Sequence, residues 1–136
     1  MAGVKKSNAG GTRLAATSGG VSYDPDVPVV VELRFDSPHV VTYHLWYALP
    51  GGPWEKAATG TDEESVSVTS HRHQVGPHPA GTRIGHLFLF VGNPETTFKA
   101  QLVITQNGQA VKGGMVSLHG QTNPDGAAVA RGEVTL

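Results

Sequence analysis

Cysteine is absent from this chain of 136 residues. Disulfides, thiolate metal sites and a cysteine nucleophile are therefore excluded. Charge is scarce as well. Charged residues are 15% of the chain, and ten Lys+Arg against eleven Asp+Glu leave a net charge of −1. Polyanion recognition needs concentrated positive charge, and the tightest basic cluster here is Lys5-Lys6, so no nucleic-acid partner is expected. Long apolar runs are also missing. The densest, Gly85 to Val91, is far shorter than the roughly 20 residues a membrane-spanning helix needs, so no membrane span is expected. The sequence has no Gly-x-Ser-x-Gly nucleophile elbow and no phosphate loop. Gly10-Gly11-Thr12 and Gly19-Gly20-Val21 lack the helix that must follow such a loop. No cofactor and no enzymatic activity are expected from this vocabulary. Met1 to Gly20 holds no apolar stretch of signal-peptide type, so the expectation is a cytoplasmic protein, with a mature secreted chain as the alternative.

Glycine and proline are plentiful, at 18 and 9 residues, which works against long helices. Residues 1–20 contain no aromatic side chain and only Val4 and Leu14 as large aliphatics. They read as an N-terminal arm, flexible or bound to a partner. From Val27 onward the apolar pattern has period two. Val29, Val31, Leu33 and Phe35 share one face of a strand. Val41, Tyr43, Leu45 and Tyr47 share one face of the next, with His44 and Trp46 opposite. A short strand is expected from Trp54 to Thr59 and another from Glu64 to His73. Arg83–Val91 is apolar on both faces, which predicts a central strand or a subunit contact. Phe98, Ala100, Leu102 and Ile104 alternate inward, and Asn107-Gly108 signals a type I′ hairpin. Gly113-Gly114 predicts a bend in the returning strand, and Ala127 to Leu136 closes the chain. The pattern predicts an all-β fold, a single β-sandwich of about seven to eight antiparallel strands over residues 21–136, immunoglobulin-like or jelly-roll.

Seven histidines are the conspicuous excess. In His71-Arg72-His73 the two imidazoles project to the same face of a strand, about 6.5–7 Å apart, a spacing two metal ligands can use. His78 is the candidate third ligand, and Asp62, Glu63 and Glu64 are the nearest acids in sequence. Read structurally, the same pair are solvated histidines at a strand end. His44 and His86 read as half-buried rings with one hydrogen bond each. Trp54, after a Pro-Gly loop, is the candidate exposed ring for stacking on a glycan. The leading functional expectation is a non-catalytic sandwich working through its surface, as a self-associating structural protein and homo-oligomer. A ligand-binding module is the alternative, for glycans through Trp54 or for a metal through His71 and His73. A small metal-dependent enzyme is the third reading, and it needs imidazoles from distant strands to converge.

Overall fold

The computed structural model describes residues 20–62 and 69–136. Eight strands occupy them: β1 (Val29–Asp36), β2 (Val40–Ala48), β3 (Trp54–Asp62), β4 (Thr69–Val75), β5 (Arg83–Val91), β6 (Thr97–Gln106), β7 (Gln109–Gln121) and β8 (Ala127–Thr135). They form two antiparallel four-stranded sheets, ordered β4-β1-β6-β7 and β3-β2-β5-β8. This is the expected β-sandwich. β3 runs three residues further than the sequence pattern predicts, through Gly60 to Asp62, because pairing with β2 continues to Val41. Most of the expected arm, and part of the segment expected to lead from Glu64 into β4, lie outside the described residues.

The alternation read from the sequence sets the two layers. Val29, Val31, Leu33 and Phe35 from β1 face Val41, Tyr43 and Leu45 from β2 and Ile84, Phe88 and Phe90 from β5, all of them buried. The phenyl rings interlock: Phe35 meets Phe88 edge-on at 5.1 Å, and Phe90 lies nearly parallel to Phe98 at 4.0 Å. Burial of each such side chain contributes about 1.5–3 kcal/mol. β5 is an inner strand, which accounts for its apolar residues on both faces. Its inward side lies in the core, and Leu87 and Leu89 face outward beside β2 and β8.

Turn chemistry fixes the register. Asn107 and Gly108 both take positive φ, 51° and 78°, as a type I′ hairpin requires. The register of β6 against β7 shifts between Val103 and Thr105, opposite the Gly113-Gly114 bend. Buried Gln106 secures the segment that enters β1. Its Nε2 donates to the carbonyls of Asp24 (2.7 Å) and Val27 (2.9 Å), and its Oε1 accepts from the Asp24 amide. Val21 makes a one-residue parallel bridge to Val111 on the outer edge of β7.

The two outer faces differ in chemistry. β1, β4 and β6 present Glu32, Arg34, Arg72, Lys99 and Gln101 outward, with Glu32 held by Arg34 at 3.2 Å and Arg72 at 3.6 Å. The β3-β2-β5-β8 sheet instead turns out Trp46, Trp54, Leu87, Leu89, Val91 and Val129.

Candidate functional site

The histidines of the His-x-His pair turn inward. In register, His71 lies beside Leu33 and His73 beside Val31, on the core face of edge strand β4. Both rings are half-buried at the seam where β4 meets β3. His71 Nε2 is 2.7 Å from Oδ1 of buried Asp62, and His73 Nε2 is 2.8 Å from the Tyr43 hydroxyl. A carboxylate only accepts, so His71 carries a proton on Nε2. Burial raises the Tyr43 pKa, and the nearby Asp62 charge raises it further. Burial lowers the His73 pKa, and His71 lowers it further. A protonated phenol therefore donates to a neutral imidazole. Both Nε2 atoms are engaged, and among the described residues no group of three side chains is placed to hold a metal ion. The arrangement is a polar clasp joining β2 and β3 of one sheet to β4 of the other. Gly60 makes room for it: a Cβ there would come within 2.4 Å of the Tyr43 hydroxyl. Gly60→Ala is expected to push Tyr43 off His73 and cost about 1–3 kcal/mol, measured by urea denaturation.

His78 lies elsewhere. Its ring stacks on Tyr47 at 4.5 Å, and its carbonyl accepts from the Tyr23 hydroxyl. His44 packs on Trp46 at 5.6 Å on the outer face. His86 departs from its expected single hydrogen bond. Its ring stacks on Phe88 at 4.9 Å, Gly132 faces it across β8, and neither ring nitrogen has a partner among the described residues.

Trp54 is the candidate ring on the outer face. Its indole is 44% exposed. It rests against Gly85, where a Cβ would lie 3.0 Å from the ring, so a side chain there would press on the indole. The Arg83 guanidinium sits 4.6 Å from the ring centroid and also reaches Glu133 at 3.7 Å, which fixes the indole from a second side. Trp46 lies next to Gly85 in register, and Glu133 lies on the other flank. Trp46, Trp54, Gly85, His86, Arg131, Gly132 and Glu133 line an open groove of about 580 Å³. Comparison with known proteins returns no matching family model, no matching curated protein and no matching solved structure. The chemistry of this groove is therefore read from its own side chains.

An aromatic wall with carboxylate and guanidinium groups across from it can stack on one flat apolar face and hydrogen-bond to hydroxyls around it. Sequence reasoning singled out Trp54 but missed the partners that orient it. Gly85, alone without a side chain in an otherwise apolar strand, was the available signal, since an interior strand glycine marks a close approach. Asp62 and Tyr43 gave no comparable signal, because their meeting with β4 depends on how the two sheets stack.

Proposed function

We propose that this protein is a non-catalytic binding module that recognises a pyranose saccharide in the groove beside Trp54. The observation that carries the reading is the exposed indole seated beside Gly85 and Arg83, in one groove with Arg131 and Glu133. A pyranose has one face of C–H bonds, which stacks on an indole, and an equatorial rim of hydroxyls, which suits a carboxylate that accepts and a guanidinium that donates. The groove is open, so it favours an internal sugar of a longer chain over an isolated small molecule.

The test is calorimetric titration with a panel of neutral and acidic oligosaccharides. Binding by the native protein, weakened about tenfold or more in Trp54→Ala, is the expected outcome. Trp54 is outside the core, so the variant keeps the native circular-dichroism spectrum. Absence of binding across the panel, or affinity indifferent to Trp54→Ala, overturns the reading. Self-association is a second reading of the same sheet, favoured by a different observation, the β8 edge that nothing pairs among the described residues.

A further inference from the structure

We infer that two copies of this chain pair through β8 to make one continuous eight-stranded sheet. β8 is the terminal strand of the β3-β2-β5-β8 sheet, and among the described residues nothing pairs with its outer side. Its nine residues run in unbroken register with β5 from Arg83↔Thr135 to Val91↔Ala127. Neither lysine nor proline interrupts it, the usual devices that blunt an edge. The other edges are less suited. β7 is already bridged by Val21 and bent at Gly113, where φ is 72°. β3 sits beside a register shift at Leu45/Trp46. β4 has only seven residues.

The charges on β8 choose the partner and the register. Ala127, Val129, Arg131, Glu133 and Thr135 face outward, while Ala128, Ala130, Gly132 and Val134 face the core. An antiparallel pair of identical strands related by a two-fold axis through Gly132 sets Arg131 opposite the partner's Glu133, twice, and Val129 opposite the partner's Thr135. Sliding by one pleat either way sets Arg131 opposite the partner's Arg131, or Glu133 opposite the partner's Glu133. Like charges directly across a ladder are unfavourable, so the register through Gly132, the one that pairs opposite charges, is favoured over its two neighbours. Arg131, Gly132 and Glu133 are all exposed, and the glycine leaves the axis free of side chains. The symmetry is closed, so the pairing ends at a dimer. The two Gly85 positions then lie three strand spacings apart across the sheet and two residues apart along it, about 16 Å in all, on one continuous face. The dimer does not depend on the saccharide reading, and it is tested without ligand.

Sedimentation equilibrium of the full chain at micromolar concentrations is the experiment, with Arg131→Glu, Glu133→Arg and the double exchange. The native chain is expected to be dimeric. Each single reversal places like charges opposite one another and weakens the dimer about tenfold or more, and the double exchange restores it. Circular dichroism confirms that all three variants fold. Backbone amides of β8 gain hydrogen-exchange protection with rising concentration, while those at the outer edge of β7 do not. A monomer at every soluble concentration overturns the inference. So does a dimer unaffected by the single reversals, or one that the double exchange leaves weak.

Discussion

Acidification from pH 7 to pH 4 is expected to remove about 3 kcal/mol of stability through one side chain, His86. Its ring is buried against Phe88, and burial pushes its pKa from the ordinary 6.5 down to about 4. The unfolded chain takes up a proton near pH 6.5, and the folded chain resists until about pH 4. Between those values the unfolded state binds more protons, so stability falls as pH falls. The contribution is complete above pH 6.5 and gone below pH 4. His73, also shifted down by burial, acts in the same direction. Glu32, held below the ordinary carboxylate range by Arg34, loses its contribution at still lower pH. Urea denaturation at pH 7 and at pH 4.5 measures the loss. His86→Leu is expected to flatten most of the pH dependence. It also gains about 1 kcal/mol at pH 7, because two buried nitrogens without partners are replaced by an apolar group. A His86→Leu variant as acid-sensitive as the native protein would show that the burial of this imidazole is not the cause.

The same residue marks the boundary of what alternation can reveal. Period two places His86 on the face it shares with Phe88 and Phe90, and that placement is correct. It does not say whether a backbone group is near enough to bond the ring. The two sheets were legible for the same reason: β1, β2 and β6 each carry one apolar face, β5 carries one broken only by His86, and the Asn107-Gly108 turn joins β6 to β7 as expected. Strand order was not legible, because β1 pairs with β4 and β6, which are distant in sequence. The site followed the same rule. His71 and His73 share a face, as their spacing requires, yet that face is the core side, set by their pairing with Leu33 and Val31. Their partners Asp62 and Tyr43 arrive from the opposite sheet, which the spacing of the pair along the chain does not reveal. Trp54 was visible as an aromatic residue after a loop, but its seat on Gly85 needs β3, β2 and β5 to be aligned first.

Phe35→Ala is expected to cost about 3–5 kcal/mol, a large share of the roughly 5–15 kcal/mol that holds a domain of this size folded. The ring is 1% exposed and is the hub of the aromatic core. It lies 5.1 Å from Phe88, 6.4 Å from Phe90, and 6.0 Å from both Tyr43 and His71. Its removal leaves a cavity between the sheets, and the strand ladders on either side prevent the layers from closing over it. Tyr43 and His71 lose a wall at the same time, so the clasp loosens with the core. Urea denaturation is the measurement, and a loss under 1 kcal/mol would mean that the sheets do collapse around the gap. The groove beside Trp54 lies on the far side of the other sheet, so the folded fraction of Phe35→Ala is expected to keep whatever affinity that groove has. Trp54→Ala is expected to do the reverse, keeping stability and losing affinity. The interior and the outer face of the β3-β2-β5-β8 sheet are thus separable by two substitutions. A Phe35→Ala protein that stays folded yet loses the ligand would place the binding determinant inside the sandwich instead of on that face.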